Sequence, residues 1–212
     1  MLRVALTGGI ACGKSTVGAM LARRGAHLLA ADALAHELYA PGTAVYDEVV
    51  RKFGEGVLDE SKCIDRAKLA QAVFPNRVGE LNAIVHPAVI EAQKRWMSEV
   101  ERDDPQGVAV VEAALIFEAG VEKDFDKVLV VTCDWDQKAA RFASRMGVSM
   151  EKARVEIERR SAAQLRDEEK ARRADYVIAN SSSLADLEEQ VEKIWNQLQA
   201  LAGNDRACDI NQ

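Results

Sequence analysis

Long apolar runs are missing from this chain. No stretch approaches the roughly 20 apolar residues of a membrane span, and the N-terminus lacks the apolar core of a signal peptide. A cytoplasmic protein is the expectation. A basic excess is missing too: the net charge of -6 disfavours a general nucleic-acid or membrane surface, so anionic ligands must be held by local basic clusters. The four cysteines, Cys12, Cys63, Cys133 and Cys208, show no paired metal-ligand spacing, which gives a disulfide framework or a zinc site little support. There is no internal repeat and no low-complexity linker. The 212 residues suit one domain with decorations, long enough to bury a proper core.

What is present begins with Thr7-Gly8-Gly9-Ile10-Ala11-Cys12-Gly13-Lys14-Ser15-Thr16. An apolar run, Leu2 to Leu6, precedes it, and Val17, Met20 and Leu21 follow at helical spacing. This is the strand, glycine loop and helix order of a phosphate-binding P-loop. Glycine permits the dihedrals by which successive N–H groups turn onto phosphate oxygens, and the helix start adds its own free N–H groups. Lys14 brings a compact charge for the outer phosphates. Ser15 offers a hydroxyl oxygen to Mg²⁺, which keeps most of its waters and bridges to the nucleotide. The expected ligand is therefore Mg-nucleotide, bound through Gly9 to Thr16. Cys12 has two readings: a thiolate favoured by Lys14 and the helix start, open to oxidation or alkylation, or a small residue filling the loop.

A short apolar run, His27 to Ala31, predicts a second strand delivering Asp32. Asp32 can point at a ligand crevice beyond the strand ends, or cap a helix over Ala33 to Tyr39. From Pro41 to about Asp104 the pattern turns helical, with apolar positions Val45, Val49 and Val50, then Leu69, Ala72 and Val73, then a long segment from Leu81 to Val100. His86-Pro87 suggests a local start or bend there, with His86 itself packed or capping, and Asp65-Arg66 an ordinary helix start. Val108 to Val111 predicts a buried strand ending in Glu112, the usual place for a second contact to Mg²⁺ or its waters. Glu118 reads more as a surface or capping residue. A further strand over Lys127 to Cys133 and a helix over Asp136 to Met146 lead into arginine-rich segments, a candidate lid that could neutralise transferring phosphate oxygens. Tyr176 to Ala179 predicts the last strand and Leu184 to Leu201 a closing helix with Leu187, Val191, Ile194 and Leu198 on one face. The remainder, from about Gly203, is expected to be frayed.

Linked signatures run in order through the chain: the P-loop decamer, AADALAHEL from Ala30 with Pro41-Gly42 after it, Lys52-Phe53-Gly54, Ile64-Asp65-Arg66, Val85-His86-Pro87, Ala114 to Glu118, and Ala174 to Asn180. From residue 3 to about 200 the chain resembles the dephospho-CoA kinases, P-loop enzymes that phosphorylate the ribose 3′-hydroxyl of dephospho-CoA with ATP, giving CoA and ADP in the last step of CoA biosynthesis. The resemblance implies an α/β fold of nucleoside-kinase type: a parallel five-stranded sheet with helices on both faces, a helical CoA-binding insertion at about 35–105, a lid at about 136–173, a kinase domain over 1–204 and a disordered tail over 205–212. It implies Asp32 as catalytic base, Lys14 and Arg141 as catalytic groups, Arg145 with the loop on ATP, Asp32, Arg66, His86 and Arg160 on the substrate, and Ser15 and Glu112 on Mg²⁺. Gln164 matches the end of a signature that starts at Arg160. Ala11-Cys12 stands where many members have Gly-Ser, and Ala114 and Arg166 stand where proline is frequent, which bears on local loop geometry. A nucleoside monophosphate kinase shares loop and lid without these signatures, and a switch GTPase would need an N-K-x-D motif that the chain lacks.

Overall fold

The computed structural model describes residues 1–162 and 164–204; the expected tail and Cys208 lie outside them. In chain order the elements are β1 (Leu2–Gly8), α1 (Lys14–Arg23), β2 (His27–Ala30), α2 (Ala31–Leu38), α3 (Ala44–Phe53), α4 (Arg66–Val73), α5 (Val78–Asp103), β3 (Val108–Glu112), β4 (Lys127–Thr132), α6 (Trp135–Met146), α7 (Met150–Ser161), α8 (Asp167–Arg173), β5 (Tyr176–Ala179) and α9 (Leu184–Asn204). The strands form one parallel sheet in the order β2-β3-β1-β4-β5. Because β1 is central, with β3 on one side and β4 on the other, the loop that follows it opens at the point where the strand order reverses.

Near-continuous apolar strands are what a sheet covered on both faces requires. Alternation then sorts the side chains. Val4 and Leu6 of β1, Val110 of β3 and Leu129 and Val131 of β4 face a layer made by Val17, Met20 and Leu21 of α1 and Leu187, Val191, Ile194 and Leu198 of α9. Ala5, Val128 and Val130 face the other way, onto Ile116 and Phe117. Among the described residues no helix is long and apolar enough to cross a membrane.

Contacts divide the chain into two compact units, one of Met1–Leu29 with the chain from Glu99 onward, the other Ala30–Ser98. The second has its own core of Val45, Val49, Val57, Leu69, Val73 and Val85. Two of its helices, α3 and α4, begin where side chains take up free N–H groups: Thr43 accepts from Tyr46 N at 3.1 Å, and Asp65 from Ala67 N and Lys68 N at 2.8 and 3.1 Å. Pro87 neither starts nor ends α5. The helix runs through it from Val78, and Pro87 simply has no N–H for the carbonyl of Ala83. Asp32 is no cap either. As the last strand residue, Ala30 already has the extended backbone of a cap position, so α2 starts at Ala31 and Asp32 falls in its first turn, where a carboxylate faces the positive end of the helix dipole.

Candidate active site

The loop between β1 and α1 is held by contacts that exclude side chains at its two framing glycines. Gly8 has φ +149°, and a Cβ there would lie 2.2 Å from the carbonyl oxygen of Val131; Gly13 has φ +92°, and a Cβ would lie 2.3 Å from Nδ2 of Asn180. Between them Ala11 also has positive φ, 57°, without being glycine. Lys14 opens α1 and turns its ammonium back over the loop, donating to the carbonyls of Gly8 at 3.1 Å and Gly9 at 3.2 Å. Ile10 and Ala11 rest on the α6–α7 cluster of Ala139, Phe142, Ala153 and Ile157.

Polar side chains gather on each side of the central strand. On the β3 side, register sets Glu112 beside Leu6, and the Ser15 hydroxyl donates to Glu112 Oε1 at 2.7 Å. On the β4–β5 side, Arg141 of α6 is fixed by Oε1 of Gln137 at 3.2 Å, the carbonyl oxygen and Oδ1 of Asn180 at 3.1 Å each, and Sγ of Cys133 at 3.1 Å. Those groups are neutral, so Arg141 is oriented without its charge being cancelled. A pocket of ≈ 210 Å³ is lined by Ala11, Gly13, Lys14, Ser15, Thr16, Arg141 and Arg145. Three cationic side chains line this pocket at the start of a helix, a combination whose charge suits a polyanion.

The other arginines divide differently. Arg145 and Arg160 lie against the same Phe142 ring, 5.7 and 5.5 Å from its centroid. Arg160, exposed at the end of α7, also donates to Glu156 at 2.6 Å; with Arg159 it holds that carboxyl down at about 2. Arg154 pairs with Asp136. Arg66, at the start of α4, and His86, on α5, are exposed in the second unit, as is Asp32; a packed role for His86 is thereby excluded.

Cys12 is not the activated thiol that its neighbours in sequence suggest. It is fully buried, and burial together with the Asp167 carboxylate pushes its thiol up to about 12 against the opposing pull of Lys138 and Lys14. Desolvation outweighs the two ammonium groups. Its Sγ lies 3.5 Å from Oδ2 of Asp167, the same oxygen that Lys138 engages.

Sequence reasoning gave no role to Lys138, Asp167 or Lys170, and it misjudged Glu118. Lys170 is fully buried, bonding to Glu118 Oε1 at 2.9 Å and the Ala114 carbonyl at 3.1 Å, while Glu118 also accepts the N–H of Leu165 at 2.8 Å. Glu118 is thus an interior ion-pair partner and not a surface group. The spacing of Lys138 one turn before Arg141 was a usable signal; the partners of Glu118, some fifty residues away, left none.

Comparison with known proteins agrees with this architecture. A family model described as dephospho-CoA kinase matches residues 2–186. The dephospho-CoA kinase of Symbiobacterium thermophilum is 43% identical over 194 residues, covering 91% of this chain and 79% of that one. That of Aquifex aeolicus is 40% identical over 200 residues, covering 93% and 98%. A crystal structure from Thermus thermophilus superposes with TM-score 0.77 at 34% identity, covering 93% and 97% of the two chains. Similarity of this degree over nine-tenths of the chain places it in the dephospho-CoA kinase family, whose members phosphorylate dephospho-CoA in the last step of CoA biosynthesis.

Proposed function

We propose that this chain transfers the γ-phosphoryl group of ATP to the ribose 3′-hydroxyl of dephospho-CoA, with the N–H groups of Gly9 to Thr16 and the side chains of Lys14, Arg141 and Arg145 on the nucleotide phosphates. The observation that carries this is the pocket in which Arg141 is fixed by neutral groups opposite the loop. An oriented, uncancelled guanidinium suits charge that spreads over the transferring oxygens. Lys14, now over the Gly8 and Gly9 carbonyls, needs only a side-chain rotation to meet a phosphate in the loop.

Ser15 and Glu112 are the proposed metal contacts. Two oxygen donors brought within 2.7 Å of each other fit a hard cation that takes its remaining ligands from water and phosphate. When bound, Mg²⁺ would neutralise charge on the β- and γ-oxygens. Asp32, with Arg66 and His86, is assigned to the acceptor side. Its carboxylate would accept the 3′-hydroxyl proton as that oxygen attacks. Arg160 joins the substrate contacts only when a phosphate replaces Glu156 as its partner. Three free cysteines among the described residues fit the reducing cytoplasm.

The deciding experiment is ADP release by the purified protein with Mg-ATP, with and without dephospho-CoA, beside a panel of nucleoside monophosphates. Release that requires dephospho-CoA and yields CoA supports the reading. Turnover on a monophosphate alone sinks it.

A further inference from the structure

Asn180 follows β5 and is buried, and its side-chain amide is used from both ends. Nδ2 donates to the carbonyl oxygen of Cys12 in the phosphate loop at 2.8 Å, and Oδ1 accepts from Nη2 of Arg141 at 3.1 Å. The neighbouring chemistry leaves one orientation for the amide: turned over, it would set NH₂ against a guanidinium and oxygen against a carbonyl. Its own backbone is anchored, the N–H donating to Thr132 O at 2.9 Å at the end of β4 and the carbonyl oxygen accepting from Arg141. The same Nδ2 occupies the space that a side chain at Gly13 would need. One planar group therefore spans from the loop to the arginine across the pocket, and it is fixed to the sheet beneath both.

We propose that Asn180 is a positioning residue for phosphoryl transfer, setting the Arg141 guanidinium at a fixed place relative to the loop N–H groups while leaving its charge whole. An amide is suited to this because it carries a donor and an acceptor without a charge. Aspartate of the same shape fails twice, placing an oxygen against the Cys12 carbonyl and cancelling Arg141 through an ion pair. Alanine leaves the Cys12 carbonyl unsatisfied and Arg141 with one acceptor fewer. Arginines 154, 159 and 160, held by carboxylates, show the alternative that Arg141 avoids.

The inference rests on the proposed nucleotide contacts of Arg141, and the test separates the two. ADP release and binding of a fluorescent ATP analogue are measured for the wild type, Asn180→Ala, Asn180→Asp, Arg141→Ala and the Asn180→Ala/Arg141→Ala pair, with thermal unfolding as a check on folding. The expected result is a kcat loss of about 10- to 100-fold for each Asn180 variant, as displacement of a transition-state contact by an ångström or less produces, while the KM for dephospho-CoA stays within about threefold. In the Arg141→Ala background the loss from Asn180→Ala should shrink to a few-fold, since residues acting as one unit do not add. Losses that multiply overturn the proposal, as does wild-type turnover in Asn180→Asp. If Asn180→Ala does not fold, the isosteric Asn180→Asp decides alone. Should Arg141→Ala leave both turnover and analogue binding unchanged, the contacts assigned to Arg141 fail first; should the wild type not act on dephospho-CoA, non-additivity in analogue affinity still decides the role of Asn180.

Discussion

Two adjacent residues of the phosphate loop show how far a side chain's neighbours in sequence can mislead. Cys12 sits two positions before a lysine that opens a helix, which favours a thiolate; burial and Asp167 reverse that and hold the thiol up at about 12. A group raised so far stays protonated throughout the physiological range. Iodoacetamide at pH 8 should therefore leave Cys12 unmodified in the native protein, with the less buried Cys63 and Cys133 labelled first, as mapped by peptide mass spectrometry. Rapid labelling of Cys12 without unfolding would contradict the burial. Ala11 carries the other tension. At φ 57° an L-residue pays about 1–2 kcal/mol that glycine does not, whereas glycine frees the unfolded chain by about 0.4–1 kcal/mol. Relief of the left-handed conformation is the larger effect, so Ala11→Gly should raise stability by roughly 0.5 kcal/mol in denaturant unfolding; a clear loss would show that the Ala11 methyl group matters more through its packing on the α6–α7 cluster.

At the scale of elements, α8 is the least legible from sequence and among the most tightly secured. Its seven residues, Asp167–Arg173, are rich in charge and fall in the segment expected to form a lid. Asp167 reaches Cys12 and Lys138, and Lys170 is buried against Glu118 and the Ala114 carbonyl, to which the Thr7 hydroxyl also donates at 3.3 Å. A helical charge pattern cannot tell which charge points inward, because the partners come from other parts of the chain. Removing one member of a buried pair strands the other, so Glu118→Gln should cost stability and Lys170→Met should cost about 3–5 kcal/mol. The double variant Lys170→Met/Glu118→Leu should recover much of that loss. Equal and additive losses in chemical unfolding would mean that the pair is not coupled.

For the whole molecule, the residues proposed for the nucleotide and those proposed for the acceptor fall in different compact units. The loop, Arg141 and Glu112 belong to one unit, and Asp32, Arg66 and His86 to the other. Nucleotide binding and proton removal should therefore separate on mutation. Asp32→Asn is expected to lower kcat by about 10²- to 10⁴-fold, the range for a general base, with ATP affinity nearly unchanged by titration calorimetry. Unchanged turnover would remove Asp32 from the chemistry. Removal of Mg²⁺ with a chelator should abolish turnover, and Glu112→Gln should raise the Mg²⁺ concentration needed for half-maximal rate; an unaltered Mg²⁺ dependence would take Glu112 out of the metal site.

The sequence by itself determined the strands, the phosphate loop and the family, because each rests on local pattern: apolar runs for strands covered on both faces, glycines where a Cβ would collide, and motifs in a fixed order. It also marked Arg141 among many arginines, but only by resemblance. What the tertiary structure decided is which charges are spent on one another. Glu156 takes up Arg159 and Arg160, Lys170 takes up Glu118, and Asn180 holds Arg141 without a charge of its own. The Lys170–Glu118 and Asn180–Arg141 pairings join residues far apart in the chain, so no window of sequence contains them, whereas Glu156 meets Arg159 and Arg160 one turn on, at a spacing the sequence shows.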